Sequence, residues 1–381
     1  MPASTELYIG LMSGTSMDAL DCAIVQFGTQ TNHQPLTILG TLGLPLPDDL
    51  RTKMLNLCEG GYSNAEQTGE LLSWAELDCR FAQLSATAVN QLLEQLSINP
   101  DQIKAIGSHG QTIRHFPEHA YPHSLQLGDP NLIAELTGIT TVADFRRRDV
   151  ASGGQGAPLV PAFHQDLFHS ASTDRIILNI GGISNITLLT TDSTIPTSGY
   201  DTGPGNTLMD SWIKRHKNLE FDQDGTWAAS GQVNTALLDQ LLSDAYFQRA
   251  APKSTGRELF NLDWLNSYLS ANPQIKPVDV QATLLELTAQ SIATEIERSL
   301  TTGEILVCGG GALNPVLFDS LKTALSNFDV TTTSTAGLDP LWVEAAAFAW
   351  LAKQTIDGLS GNLPEVTGAT GPRILGGIYQ A

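Results

Sequence analysis

Two stretches with the same pattern lie in different halves of the chain, and they constrain the fold more than any other feature. Each has an apolar run, a turn of small residues and a second run; they read YIGLMSGTSMDALDCAIV from Tyr8 and IILNIGGISNITLL from Ile176. Apolar runs bounded by glycine and serine are typical of buried strands. One such unit in each half suggests two related α/β domains facing each other.

Further strands and helices follow each unit. The strands next to the first turn are predicted over 7–12 and 20–27. Helices are predicted at DDLRTKMLNLCEG, over 64–97, at PNLIAELTG with Gly138 just past its end, and at LWVEAAAFAWLAKQTI. The segment VASGGQGAPLVPAFH has no clear period and marks a domain boundary. We therefore predict one domain from 1–148 plus about 343–381, and a second from 149–342.

The charge of the chain limits its partners. Twenty Lys and Arg stand against forty Asp and Glu, a formal net charge of −20. Such acidity argues against binding to nucleic acid or to anionic membranes. No apolar run is long enough to span a bilayer, and the N-terminus has no basic segment typical of a signal peptide. The four cysteines form no C-x-x-C pair, so we expect free thiols and a cytoplasmic protein.

Three glycine-containing turns each follow an apolar strand: Ser13–Ser16, Gly181–Asn185 and Gly309–Ala312. Glycine lets several backbone N–H groups approach one anion, although a tight hairpin needs glycine as well. The chain has no Gly-Lys dipeptide and therefore no P-loop. A nucleotide bound by these turns would need backbone N–H groups and a cation for its phosphates.

Two acids beside the first turn fit that requirement in different ways. Mg²⁺ prefers one or two carboxylates plus waters, and Asp18 suits this role, with water between the carboxylate and the metal. Asp21 comes three residues later, where it either faces the ligand or stabilises the turn.

Other polar residues are candidates for catalysis and substrate binding. Asp201 precedes a Gly-Pro-Gly loop and is either a general base or a turn aspartate. The stretch DFRRRD, predicted to follow a strand, could bind a carboxylate through a guanidinium or pair internally with Asp144 and Asp149. His109 and Gln111 on a glycine-flanked loop could contact a hydroxyl or amide, and Glu344 begins an alanine-rich helix.

A family resemblance brings these residues together. The three turns look like the phosphate and adenosine loops of the sugar kinase/Hsp70/actin superfamily. GLMSGTSMDALD, IGSHGQTIRH, VADFRRRDVASGGQGAPLVPAFH, LNIGGISN, DTGPGN, VCGGGALN and TGATGPRILGGIY closely resemble the anhydro-N-acetylmuramic acid kinase family, in order along the whole chain. The resemblance implies two actin-like (ribonuclease H-like) α/β domains with an interdomain nucleotide cleft. Phosphate loop 1 and the sugar site would belong to the first domain, and phosphate loop 2 and the adenosine loop to the second.

The same resemblance implies a reaction and a set of site residues. The family uses ATP, Mg²⁺ and water to open the 1,6-anhydro ring of its amino sugar and to phosphorylate O6, in cell-wall recycling. Asp201 would activate the water, Arg148 would contact the lactyl carboxylate, and His109, Gln111 and Glu344 would hold the sugar. ATP would bind at Gly14, Thr15, Ser16, Met17, Asp18, Ala19, Leu20, Asp21, Gly181, Gly182, Gly309, Gly310 and Gly311.

One position departs from the family pattern, and two other functions stay open. Ala19 replaces the second glycine of G-T-S-x-D-G-x-D, which we expect to be tolerated because the second strand begins there. The alternatives are another actin-like-fold sugar kinase and a non-catalytic ATP-binding sensor. A homodimer is an expectation from the family alone.

Overall fold

The chain forms two compact units. A computed structural model describes residues 6–14, 17–28, 36–59, 67–270 and 272–381. Unit 1 consists of Met1–Phe163 and Trp342–Ala381, and unit 2 of His164–Leu341. The predicted assignment of sugar binding to the first domain and of phosphate loop 2 to the second stays a prediction.

The chain contains groups of strands followed by groups of helices. The strands are β1 Glu6–Met12, β2 Ala19–Phe27, β3 Leu36–Pro45, β4 Ile103–Ser108, β5 Gln111–Phe116, β6 His123–Leu127, β7 Thr141–Ala143, β8 Arg175–Ile180, β9 Ile183–Leu189, β10 Ser198–Pro204, β11 Gly303–Cys308, β12 Phe328–Thr332 and β13 Gly377–Tyr379. The helices are α1 Asp48–Glu59, α2 Gln67–Leu96, α3 Pro130–Thr137, α4 Phe145–Ala151, α5 Val160–Phe168, α6 Thr207–Lys217, α7 Thr226–Ala229, α8 Thr235–Leu242, α9 Leu262–Leu269, α10 Pro277–Ser299, α11 Pro315–Ala324, α12 Val343–Ile356 and α13 Pro364–Thr367.

The main sheet of unit 1 has the strand order β13-β7-β4-β1-β2-β3. Strands β1, β2 and β3 form an antiparallel meander, whereas β4 runs parallel to β1 and β7 runs parallel to β4. Parallel neighbours need crossover connections, which α2 and α3 supply. The sheet therefore combines a hairpin-connected half with a βαβ half.

The sheet of unit 2 has the same design. Its order is β10-β9-β8-β11-β12, with β8, β9 and β10 antiparallel and with β8, β11 and β12 parallel. When the strands are numbered along the chain within each sheet, both sheets therefore contain the order 3-2-1-4-5. The predicted fold class, two actin-like α/β domains, is confirmed, and the repeated strand–turn–strand pattern was its signal.

Helix α12 lies unusually close to the sheet of unit 1. A Cβ atom added to Gly10 would stand 1.7 Å from the carbonyl oxygen of Ala345, and one added to Gly107 would stand 2.0 Å from that of Phe348. Only glycine on β1 and β4 permits this approach. The close packing brings Glu344, in the first turn of α12, to the ends of these strands.

The sequence predictions between residues 139 and 168 were partly wrong. The strand expected to precede DFRRRD covers only Thr141–Ala143, and the three arginines that follow it lie on α4. The stretch VASGGQGAPLVPAFH, which has no clear period, includes the beginning of α5, whose second residue is Pro161. Proline fits the first turn of a helix, where its missing N–H is not needed.

Two further findings concern membranes and thiols. Within the described ranges, none of the helices is both long and apolar enough to cross a bilayer. Cys22, Cys58, Cys79 and Cys308 are free thiols, as expected, and the first and last of them are buried.

Candidate functional site

The first turn joins β1 to β2 and has an unusual backbone. Met17 has a φ of 52°, in the left-handed region, and its N–H donates to the carbonyl of Gly14 at 3.2 Å. Ala19 already belongs to β2 and has no positive φ. The backbone at this position therefore does not require glycine, which agrees with the expectation that the second strand begins there. The predicted ATP contacts Thr15 and Ser16 lie outside the described residues.

A buried hydrogen bond connects the first turn to β5. The Ser13 hydroxyl donates to the Gln111 side-chain oxygen at 2.7 Å, and both residues are almost fully buried. Gln111 was predicted as a substrate contact, whereas Ser13 had only been counted as part of the turn. The signal in the sequence that could have singled out Ser13 was its position directly after β1, where the first turn begins.

Buried His109 forms a pair with partly buried Arg146. Both the Arg146 Nη2 and Nε groups donate to His109 Nε2, at 2.8 and 3.2 Å. Burial, and then the charge of Arg146, hold the pKa of His109 well below its usual value. The imidazole is therefore neutral, and because Nε2 accepts, its proton lies on Nδ1. Burial also lowers the pKa of Arg146 to about 10, far enough above neutrality to keep it charged.

Three carboxyl groups lie near this pair. Burial, and then the negative charges of Asp18 and Glu344, together raise the pKa of Asp21 to about 7. Burial likewise raises the pKa of Glu344, while the positive charge of Arg146 opposes that rise. Unit 1 therefore brings the predicted residues His109, Glu344, Asp18 and Asp21 into one electrostatic neighbourhood, with Arg146 as its partly buried cation.

The acids of the first turn fit a magnesium ion. Carboxylate oxygens are the ligands that Mg²⁺ prefers, and a cation beside Asp18 would relieve the repulsion that acts on Asp21. Among the residues that the structure describes, no three His, Cys, Asp or Glu side chains are grouped so as to hold a metal by themselves. A bound ion would therefore need water and phosphate oxygens as additional ligands.

The three consecutive arginines have different surroundings. Arg147 pairs with Asp144, with Nε 2.8 Å from both carboxylate oxygens, and Arg148 is exposed in the last turn of α4. The internal pairing considered for Asp144 is therefore present. Asp149 is buried and accepts instead from the Gly156 N–H and from the Asn362 and Thr367 side chains.

In unit 2, Asp201 lies on β10 at an irregularity in its pairing with β9. One carboxylate oxygen accepts from the Thr255 N–H at 3.0 Å. The pKa of Asp201 is raised to about 6. Burial is the main cause; the Thr255 hydrogen bond opposes the rise and the charge of Glu258 adds to it. A half-buried carboxyl group with this pKa is suited to accept a proton near neutral pH.

The segment of residues 252–258, called the strap below, fixes Asp201 in place. The Lys253 carbonyl accepts from the Asp201 N–H at 3.0 Å, and the Tyr246 hydroxyl donates to the Asp201 carbonyl at 2.8 Å. The Lys253 ammonium is itself buried in an ion pair with Glu295 at 2.8 Å. Removing one partner of such a pair is costly, so the ion pair ties the strap firmly to α10.

The second turn is shorter than the predicted Gly181–Asn185, because β9 already begins at Ile183. Its two glycines, Gly181 and Gly182, lie close to the third turn, Gly309–Ala312. A Cβ on Gly309 would stand 2.4 Å from Asn179 Oδ1, and one on Gly311 would stand 2.3 Å from Ile180 Cγ2. Gly309 also has a φ of 81°. The side chain of Asn206 lies near both turns, with Nδ2 3.4 Å from the Ile180 carbonyl and 3.8 Å from the Cβ position of Gly310.

Sequence and fold together define the class of the protein. Two units of the same α/β topology each carry a glycine turn after their first strand, as in actin-like proteins. The family model described as "Anhydro-N-acetylmuramic acid kinase" matches residues 6–381. The chain belongs to this family, whose members are phosphotransferases with an alcohol group as acceptor.

Curated relatives agree with this assignment. Anhydro-N-acetylmuramic acid kinase from Coxiella burnetii strain RSA 493 is 52% identical over 375 residues, which cover 98% of this chain and 97% of the relative. The protein of the same name from Photobacterium profundum is 51% identical over 384 residues, covering 99% of each. Among solved structures, the activator of the 2-hydroxyisocaproyl-CoA dehydratase from Clostridium difficile with bound ADPNP is 11% identical, with a TM-score of 0.45, covering 93% of this chain and 98% of that chain.

Proposed function

We propose that the chain opens 1,6-anhydro-N-acetylmuramic acid with water and phosphorylates O6 at the expense of ATP, in the recycling of cell-wall material. Water oxygen bonds to C1, the C1–O6 bond breaks, and O6 takes the γ-phosphoryl group from ATP. The products are N-acetylmuramic acid 6-phosphate, ADP and a proton. The reaction belongs in the cytoplasm, where ATP is available.

Asp201 is the proposed base, and its environment is the observation that carries the proposal. Burial raises its pKa to about 6, and the Thr255 N–H and the strap fix its orientation. It is therefore deprotonated near neutral pH yet basic enough to take a proton from water. Such a base contributes roughly 10²–10⁴-fold to a rate.

The polar residues around His109 are proposed to bind the sugar. Neutral His109 donates through Nδ1–H, Gln111 has its carbonyl oxygen fixed by Ser13, and Glu344 accepts hydroxyl protons. Arg148 is exposed and offers a guanidinium fork to the lactyl carboxylate. Arg146 is already engaged by His109 and the Gly156 carbonyl, so its proposed role is to orient His109.

ATP is the proposed phosphoryl donor, bound at the three glycine-containing turns. Asp18 is the proposed magnesium ligand, through water, with Asp21 behind it in the same turn. The ion would neutralise charge on the phosphates and hold them for in-line transfer.

The test is a coupled assay of ADP release with ATP, Mg²⁺ and the anhydro sugar, with glucose and N-acetylglucosamine in parallel. We expect turnover with the anhydro sugar and a product whose mass exceeds that of the substrate by one water and one phosphoryl group. Turnover with an ordinary sugar alone would favour another sugar kinase. Binding of ATP without turnover of any sugar would favour a sensor.

A further inference from the structure

The geometry of unit 2 points to an additional ligand for the nucleotide. We propose that the Arg257 guanidinium binds a phosphate of ATP at the second turn and supplies the positive charge that lysine supplies in a P-loop. This inference rests on the proposed function, since it takes ATP as the phosphoryl donor.

The first argument is distance. Arg257 Nη2 lies 4.0 Å from the position that a Cβ atom on Gly182 would occupy. Among the described residues other than Gly182 and its chain neighbours, the only other heavy atom within 4 Å of that position is the Thr207 Cβ, at 3.9 Å. The guanidinium therefore reaches the side of the second turn on which glycine leaves room for a ligand.

The second argument concerns the backbone donors next to that turn. Gly205, Asn206 and Thr207 precede or begin α6, where a phosphate could otherwise bind N–H groups. Their N–H groups already donate to the carbonyls of Gly181 and Gly182, at 2.8 to 3.1 Å. These three N–H groups are therefore already engaged, so a positive group from another segment would strengthen phosphate binding at the second turn of a chain that has no P-loop lysine.

The third argument is that the strap holds Arg257 in place. Lys253 ties one end of the strap to Glu295, and the Asn261 side chain, which caps α9, donates to the Arg257 carbonyl at 3.1 Å. Between these anchors, the Thr255 N–H binds Asp201 at 3.0 Å. One short segment thus carries both the partner of the proposed base and, two residues later, the arginine at the second turn.

The chemistry of the transfer suits an arginine in this position. As the γ-phosphorus moves from the bridging oxygen of ADP to the sugar O6, one P–O bond breaks and another forms, and negative charge grows on ADP. A guanidinium forms two parallel hydrogen bonds to phosphate oxygens and stays charged throughout. It would also offset Asp201 and Glu258, whose carboxylates otherwise repel an anion in this part of unit 2.

The test measures nucleotide binding and turnover in Arg257→Gln and Arg257→Lys. For Arg257→Gln we expect kcat/KM for ATP to fall about 10²-fold, as when one preorganised donor to the reacting group is removed. The KM for the sugar and the melting temperature should not change, and Arg257→Lys should recover part of the loss. Arg215→Gln is the matched control, because Arg215 in α6 bonds Asn266 on the surface of the same unit.

A second variant tests the inference in case Arg257→Gln fails to fold. Gly182→Ala meets only ordinary contacts, so it should fold, yet its methyl group would occupy space beside the guanidinium. We expect weaker ATP binding at an unchanged melting temperature. Unchanged ATP binding and turnover in Arg257→Gln would overturn the inference, as would a loss fully explained by unfolding.

Calorimetric titration of ATP separates this inference from the proposed function. If the wild type binds ATP but does not turn over the anhydro sugar, the proposed function fails, and weaker ATP binding by Arg257→Gln still supports the inference. If the wild type turns over the sugar and Arg257→Gln binds ATP equally well with full activity, only the inference fails.

Discussion

The first and second turns occupy the same place in two sheets of the same strand order, but they differ in chemistry. The first turn has Asp18 and Asp21 beside it, uses Met17 for its left-handed step, and lies near Glu344 on α12. The second turn consists of two glycines, with Arg257 beside it. One turn is therefore suited to a metal cation, and the other to a direct phosphate contact.

A carboxyl group with a raised pKa lies on the second strand of the sheet in unit 1 and on the third strand of the sheet in unit 2. Asp21 lies on β2 and is surrounded by other carboxyl groups, whereas Asp201 lies on β10 and is held by a backbone N–H. The same topology thus positions a repelled acid in unit 1 and an oriented acid in unit 2. The comparison teaches that the strand order determines where functional residues can lie, and the neighbouring side chains determine what they do.

Replacing Asp201 tests the oriented acid and should have the largest effect. Asp201→Asn keeps the shape and can still accept from Thr255, but it cannot take a proton from water. We expect turnover to fall roughly 10²–10⁴-fold with ATP binding unchanged, measured by the coupled assay and by calorimetry. Asp239→Asn, on the surface of α8, is the control. Near-normal turnover in Asp201→Asn would make this aspartate structural.

Replacing the arginines one at a time tests the sugar site proposed for unit 1. Arg148→Gln should raise the KM for the anhydro sugar roughly 10–100-fold, because a charged hydrogen bond to the lactyl carboxylate is lost. Arg147→Gln should leave it unchanged, since Arg147 is occupied by Asp144. An increase for Arg147→Gln but not for Arg148→Gln would reverse the proposed assignment.

Replacing Asp18 tests the contrast between the two turns. Asp18→Asn should weaken the apparent Mg²⁺ affinity in turnover by about tenfold, while ATP affinity measured without metal stays unchanged. Arg257→Gln should instead weaken the ATP affinity measured without metal, while the apparent Mg²⁺ affinity in turnover stays unchanged. Equal losses in both measurements for Asp18→Asn would mean that this residue only shapes the first turn.

The smallest expected effect is on stability and depends on pH. The folded protein holds a proton on Asp201 up to about pH 6, above the ordinary value of 3.8, so ionisation of this group costs stability. The cost is absent below the ordinary pKa and is complete above the raised one. Asp201→Asn should therefore melt at least ~2 °C higher than the wild type in alkaline buffer. The gain should disappear in acid, and a gain at every pH would contradict the raised pKa.

Much of the fold could be predicted from local patterns. The hairpin units, the long helix α2 and the end of α3 at Gly138 depend on apolar spacing and on glycine, which act over a few residues. The directions of the three arginines depend, in addition, on where α4 begins. Because Asp144 has a φ of 62° and α4 begins at Phe145, three consecutive arginines point in directions about 100° apart around a helix.

Residues that act through distant contacts could not be found in the sequence. Ser13 becomes informative only when Gln111, 98 positions later, is seen to accept its hydrogen bond. Arg257 becomes informative only when Gly182 is seen beside it. In both cases the strand order brings together segments whose spacing along the chain carries no signal.

The reaction in water labelled with oxygen-18 tests the central claim most directly. Purified protein receives ATP, Mg²⁺ and the anhydro sugar, and the product is analysed by mass spectrometry and NMR. If Asp201 directs water to C1 while O6 takes the phosphoryl group, the label appears at C1 of the 6-phosphorylated product and not in its phosphate. A phosphorylated product without label at C1 would contradict the hydrolytic mechanism.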